Sequence, residues 1–323
     1  MSRPALRIGT RASALALWQA RHVAALLEAQ PGAPAVELVH IRTQGDAQRE
    51  VPLWQVGGRA FFTREIDAAL TTGTIDVAVH SLKDLPTGLA PELALAATLA
   101  RADPRDALLS ASGATLAQLP PRARIGTSSL RRRAFIARRR PDAQAVELRG
   151  NVPTRLERLR AGDYEAIILA AAGVTRLGLA QHVTQYLSPL EFAPAVSQGV
   201  IGVCARADDD ESLRRLRPLD DRAARLAVSA ERALLARLEG GCQVPLGALA
   251  ELRGEQLELA ACVCALDGSR ELRASGTQAA APGAALNVAD AAALGERVAD
   301  ELLAAGAAEL IAQQREALAV TAP

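Results

Sequence analysis

Lys83 and Asp84 stand side by side just after an apolar run, in Ser81-Leu82-Lys83-Asp84-Leu85-Pro86. An ammonium next to a carboxylate at a strand end can bind an anion and do acid/base or cation-stabilising work. The same pair could equally be a surface ion pair at a loop. Lys83 is the only lysine, in a chain that otherwise uses arginine. A compact ammonium with a tunable pKa is one reason to keep it, and chance survival in an Arg-rich composition is another.

A second group of residues points to anion binding. Arg7-Ile8-Gly9-Thr10 recurs as Arg124-Ile125-Gly126-Thr127. Serines follow each copy, Ser13 in the first and Ser128 and Ser129 in the second, and then a helical pattern begins. A helix start presents free N–H groups and the positive end of the macrodipole, so with hydroxyls and arginines alongside it suits an anion. Arg11, Arg131, Arg132, Arg149 and Arg155 all fall at strand ends or in the turns after them, the edge where open α/β sheets gather ligands. A ligand with several negative charges would use them; solvated arginines are the alternative for any single one. Arg138, Arg139 and Arg140 sit later in their helix and read as a solvated face.

The third candidate is Gly240-Gly241-Cys242. Two glycines permit close backbone approach, and a thiol exposed among arginines would tend towards the nucleophilic thiolate. A structural cysteine is the alternative. Cys262 and Cys264 lie two apart in a strand-like run, so both thiols face one way, too close together for a zinc knuckle. The four histidines are scattered, and no metal site is expected.

These residues must be held by strands and helices. Leu6 to Gly9, Val36 to Arg42 and Ile75 to His80 read as strands, Ala14 to Glu28 as a helix capped by Ser13, and Thr63 to Thr71 as a short helix. Asp46 to Arg59, with Gly57-Gly58, reads as a mobile loop. Further on, Ala145 to Leu148 and Ala166 to Ala170 read as strands, with Arg149 to Arg155 as the turn after the first of them. Val200 to Ala205 reads as a strand returning to the first domain. From about Arg222 a helix to Leu238, strands near Leu246 to Glu251, Leu257 to Ala265 and Arg270 to Ser275, and one long C-terminal helix suggest a small α+β domain. Alternating strands and helices with an internal repeat predict two similar α/β domains facing each other across a cleft.

Composition narrows the function. The chain has 323 residues, half of them hydrophobic, with a net charge of +1 and 2% aromatics. That excludes a disordered chain and argues against a nucleic-acid or membrane-surface protein. There is no secretory-signal pattern and no apolar run long enough for a bilayer, so a cytoplasmic protein is expected.

At this point RIGTRASALALWQA, VAVHSLKDLPT, IGTSSLRRR, LRGNVPTRL, AIILAAAGVTRLGL and ERALLARLEGGCQVPLGALA together resemble the porphobilinogen deaminase (hydroxymethylbilane synthase) family over nearly the full length. The resemblance implies two domains like type II periplasmic binding proteins and a third bearing a cysteine. The division would be 1–99 with 200–217, then 100–199, then 218–323. It implies a dipyrromethane cofactor joined by a thioether to Cys242, and porphobilinogen as substrate. Four porphobilinogens would be added head to tail with loss of ammonia, and water would release 1-hydroxymethylbilane. By the same resemblance Asp84 is catalytic. Ser13, Ser81, Lys83, Thr127, Ser128, Ser129, Arg131, Arg132, Gly150 and Asn151 line the cofactor. Arg11, Gln19, Phe62, Arg149, Arg155 and Arg176 serve substrate or growing chain. The carboxylates of porphobilinogen account for the arginines. A monomer is expected. Gln55, Arg59 and Ala60 depart from the family's usual lysines and glycine, and Ser197 stands where glycine is usual. The competing reading is a non-catalytic binding module closing on a small dianion, which would have no use for Cys242.

Overall fold

The computed structural model describes residues 5–44, 63–238, 244–281 and 283–320. The expected loop over 46–59, with Gln55 and Arg59, lies outside these residues, as do Ala60, Phe62 and Cys242.

The first half runs β1 (Leu6–Thr10), α1 (Ala14–Glu28), β2 (Val36–His40), α2 (Arg64–Thr71), β3 (Val77–Ser81) and β4 (Leu93–Thr98). There follow β5 (Asp106–Ser110), β6 (Arg124–Gly126), α3 (Leu130–Arg139), β7 (Gln144–Val146), α4 (Val152–Arg160), β8 (Ala166–Ala170), α5 (Ala171–Arg176) and β9 (Gln185–Tyr186). The chain ends with β10 (Ile201–Arg206), α6 (Asp210–Leu216), α7 (Arg222–Arg237), β11 (Leu246–Arg253), β12 (Gln256–Cys264), β13 (Glu271–Ala279), α8 (Val288–Ala304) and α9 (Ala307–Val320).

Two five-stranded sheets share one plan, β2-β1-β3-β10-β4 and β7-β6-β8-β5-β9. In each, the Arg-Ile-Gly strand lies between two parallel neighbours, and one antiparallel strand separates the parallel part from the edge. The antiparallel strand is β10 in the first sheet, reached after the second sheet is complete. In the second sheet it is β5, which comes before the rest. Strands buried on both faces, such as β3, β5, β8 and β10, are near-continuous apolar runs, as interior strands must be.

The duplication goes deeper than the four repeated residues. Arg7 bonds the Asp76 carboxylate through Nε (3.1 Å) and Nη2 (2.7 Å) and the Gly73 carbonyl (2.7 Å). Arg124 does the same with Glu165 and the Gly162 carbonyl, at 3.3, 2.9 and 2.9 Å. Each acid also accepts the N–H of its own arginine, and each stands one residue before β3 or β8. Gly126 is required for packing: a Cβ there would lie 3.0 Å from Ile167 and Tyr164 and 3.1 Å from Leu148.

The third sheet, β11-β12-β13, is an antiparallel meander. Leu257, Leu259, Ala261 and Val263 on one face of β12 join Leu294, Val298 and Leu302 of α8 in one core. Cys262 and Cys264 face the other way, as their spacing predicts, and pack with Ala134 and Phe135 of α3. Burying each such leucine contributes roughly 1.5–3 kcal/mol.

The chain forms two compact units. One runs through Ala102 and resumes over Gly199–Arg225; the other spans Asp103–Gln198 and everything from Leu226 onward. The second unit therefore includes the third sheet. Two local expectations are corrected. The turn after β7 is shorter than 149–155, because α4 begins at Val152. The single C-terminal helix is two, parted near Gly306, whose φ is +98°.

Candidate active site

In the first unit, β1 ends at Thr10 and delivers Arg11, half-buried, into the turn before α1. Ser13 caps α1, its Oγ accepting the Ala16 N–H at 3.3 Å, so this hydroxyl is engaged in ending the helix. Gln19, one turn on, is only 2% exposed and its amide nitrogen donates to Ser81 Oγ at 2.8 Å. That bond ties α1 to the end of β3, and it gives Gln19 a protein partner rather than an open face for substrate.

Leu82–Asp84 forms a single 3₁₀ turn directly after β3. The turn is pinned at both ends: Leu82 N–H donates to the Val200 carbonyl at 3.0 Å and Leu85 N–H to the Leu82 carbonyl at 3.1 Å. With Leu82 and Leu85 buried, Lys83 and Asp84 are left half-buried at the strand end. His80, one residue before Ser81, was missed by sequence reasoning. It is buried, its Nε2 has no hydrogen-bond partner among the described residues, and burial with the nearby Arg11 charge lowers its pKa to about 4. The imidazole is neutral at physiological pH.

In the second unit the equivalent turn is built differently. Thr127 Oγ1 accepts the Ser129 N–H at 3.2 Å, and Ser129 Oγ caps α3 by accepting the Arg132 N–H at 3.4 Å. Ser128 is buried beside them. Arg131 and Arg132 do not extend into solvent. Both meet the wholly buried Asp106 carboxylate at 2.8 Å, Arg131 on Oδ2 and Arg132 on Oδ1. Arg131 also donates to the Ala193 carbonyl (2.6 Å) and Arg132 to the Ile168 carbonyl (2.8 Å). The two guanidiniums hold the Asp106 carboxyl well below the usual carboxylate range. Asp106 opens β5, a strand that the sequence reading did not find; an acid leading into Ala107-Leu108-Leu109 was the available signal.

Gly150, at φ +108°, turns the chain into α4, and its carbonyl accepts Arg155 Nε at 2.7 Å. Asn151 caps that helix, its Oδ1 taking the Thr154 N–H at 3.0 Å and hydroxyl at 2.8 Å. Arg155 therefore lies in the first turn of α4 rather than in a loop. Arg149 is partly desolvated next to Glu147, and burial lowers its pKa. Arg176 closes α5, where burial pushes its pKa down to about 10, still charged at neutral pH. The arginines read as a solvated face are instead tied down: Arg138 and Arg139 to Glu271, and Arg140 to Asp142.

Comparison with known proteins bears directly on this arrangement. Residues 6–214 match the family model for the porphobilinogen deaminase dipyromethane cofactor binding domain, and residues 225–304 match that for the porphobilinogen deaminase C-terminal domain. The chain belongs to the porphobilinogen deaminase family. Relatives of that name include one from Roseiflexus sp. (strain RS-1), 53% identical over 95% of this chain and 98% of its own. One from Syntrophotalea carbinolica is 48% identical over 97% and 96%. Among solved structures, the VFT2 domain of Bordetella pertussis BvgS, as a double mutant, aligns at 14% identity over 67% of this chain and 86% of its own, with a TM-score of 0.39. Family membership makes this chain a transferase of tetrapyrrole biosynthesis with a dipyrromethane-binding domain. No described helix is long and apolar enough to cross a membrane.

Proposed function

We propose that this chain deaminates porphobilinogen and joins four units head to tail on a dipyrromethane carried by Cys242, releasing 1-hydroxymethylbilane and ammonia. The observation that carries the reading is the Arg131–Asp106–Arg132 cluster. Two buried guanidiniums share one carboxylate, and the Nε of each is buried without an acceptor among the described residues. A polycarboxylate fits that surplus charge and those free donors; a neutral ligand would not.

When bound, the dipyrromethane supplies the nucleophilic pyrrole carbon on which the chain is built. Asp84, on its pinned turn, accepts the pyrrole N–H of the reacting ring and stabilises the positive charge that grows there as the amine leaves. Lys83 binds a carboxylate beside it. Arg11, Arg149, Arg155 and Arg176 receive acetate and propionate groups, and partial desolvation of Arg149 and Arg176 strengthens those contacts. Ser13, Ser129 and Asn151 serve mainly by capping the helices that aim these arginines, and Gln19 by holding Ser81. Thr127, Ser128 and Gly150 shape the backbone around the cofactor, and the family resemblance gives Phe62 a part in substrate binding. Cys242 is the attachment thiol: Cys204, Cys262 and Cys264 are buried, and burial pushes the Cys264 thiol up to about 11 and the Cys262 thiol higher still.

The three sheets support a division into 1–99 with 200–217, 100–199 and 218–323. The common plan of the two larger ones supports the type II binding-protein-like reading. The working form is a cytoplasmic monomer without metal. Intact mass tests the reading: an excess of two porphobilinogen units less two ammonias, absent from Cys242→Ser, is expected. Unmodified mass even after incubation with porphobilinogen would overturn it. Asp84→Asn should keep the native far-ultraviolet circular dichroism and lose bilane formation by roughly 10²–10⁴-fold. Near-normal turnover would remove Asp84 from its role.

A further inference from the structure

We infer that Asp106 is a positioning residue for the anion-receiving part of the second unit: it sets Arg131 and Arg132 side by side with one positive charge to spare. The inference rests on the function proposed above. Its basis is geometric. Asp106 is 0% exposed, and Arg131 and Arg132 are 4% and 6% exposed. One carboxylate oxygen faces each guanidinium at 2.8 Å, so the acid sits between them as a spacer. Removing it would bring two buried like charges together with nothing between them, and they would separate.

Backbone carbonyls fix the far side of each arginine, that of Ala193 for Arg131 and that of Ile168 for Arg132. The spacer is held in turn by Gln198, whose amide nitrogen lies 2.9 Å from Asp106 Oδ1 and 2.8 Å from the Pro104 carbonyl. The guanidiniums are thus fixed through their Nη groups, while the buried Nε of each, and Asp106 Oδ2 apart from its ion pair to Arg131, have no hydrogen-bond partner among the described residues. Those two donors and the uncompensated charge call for a ligand carboxylate. A single arginine would neutralise Asp106; the second leaves the cluster with a net positive charge.

The test is the adduct occupancy of the folded, soluble fraction, read by intact mass after purification and after incubation with porphobilinogen. Asp106→Asn keeps the shape and removes the charge. It is expected to melt lower than the parent and to carry roughly a tenth or less of the parent's adduct, because displaced arginines no longer hold the carboxylates in place while the thioether forms. Loss of stability alone would reduce yield but leave the folded fraction fully modified, and that result would overturn the inference. If Asp106→Asn does not fold, Asp106→Glu decides, since it keeps the charge but shifts it by a methylene. Reduced occupancy, with a raised KM for porphobilinogen in whatever fraction is modified, is expected. Full occupancy with the parent's KM would overturn the inference. Failure of the functional reading itself looks different: the parent protein would then carry no adduct either.

Discussion

His80 and Ser197 show how single side chains set the conditions under which this molecule is stable. The His80 imidazole ordinarily titrates at 6.5, and in the fold at about 4. Between those values the unfolded chain binds a proton that the folded chain does not, so stability is lost as pH falls through that window. The full loss is roughly 3 kcal/mol. His80→Gln should flatten the fall of the denaturation midpoint between pH 6.5 and about 4; an unchanged slope would mean that other groups dominate. Ser197 adopts a left-handed backbone conformation that suits glycine. Its φ is +64°, and its buried Oγ has no hydrogen-bond partner among the described residues. Ser197→Gly removes both the left-handed strain and the unmet hydroxyl, and should raise the midpoint by about 1 kcal/mol of stability. An equal or lower midpoint would show that the serine is accommodated without cost.

At the scale of elements, the repeated strand–turn–helix unit is stabilised in the same way twice. An arginine at the strand start clamps the acid just before the neighbouring strand, and a glycine near the strand end lets side chains from behind close over it. In the second copy those side chains are Ile167, Tyr164 and Leu148. Gly126→Val should therefore overpack this layer and cost ~1–3 kcal/mol, read by urea denaturation. A valine tolerated without loss would mean that β6 can move relative to β8. The same layer fixes where Thr127 and the α3 cap emerge, so a shift there would also be felt at Arg131 and Arg132.

At the scale of the whole molecule, each unit fastens the chain segments that enter and leave it. Ala102 N–H donates to the Gly199 carbonyl at 3.1 Å in one unit, and Gln198 bonds the Pro104 carbonyl in the other. The wholly buried Glu231 of α7 accepts the Ser197 N–H at 2.6 Å on one oxygen and the Ala250 N–H at 2.8 Å on the other. One carboxylate thus joins the end of the second sheet's chain segment to β11. Glu231→Leu strands two buried N–H groups and should cost roughly 3 kcal/mol or more, with faster hydrogen exchange at Ser197 and Ala250. Unchanged exchange at both amides would show that the clamp is dispensable.

Much of this was legible in residue order alone because it is local. A cap lies three residues from the N–H it accepts, an apolar strand announces itself in five residues, and the motifs around Lys83-Asp84, Thr127-Ser128-Ser129 and Arg149-Gly150-Asn151 carry the family resemblance. The strands β1, β3 and β8, the helix α1 with Ser13 as its cap, and the return of β10 follow from such patterns. Tertiary structure alone decided the partners. Asp106 lies 26 residues from Arg132 and 92 from Gln198. Asp76 lies 69 from Arg7, and Glu231 lies 34 from Ser197. Charge, length and hydrogen-bonding capacity say that a buried arginine needs a carboxylate. Which carboxylate it receives depends on which strands become neighbours, and that is set by the packing of the whole sheet.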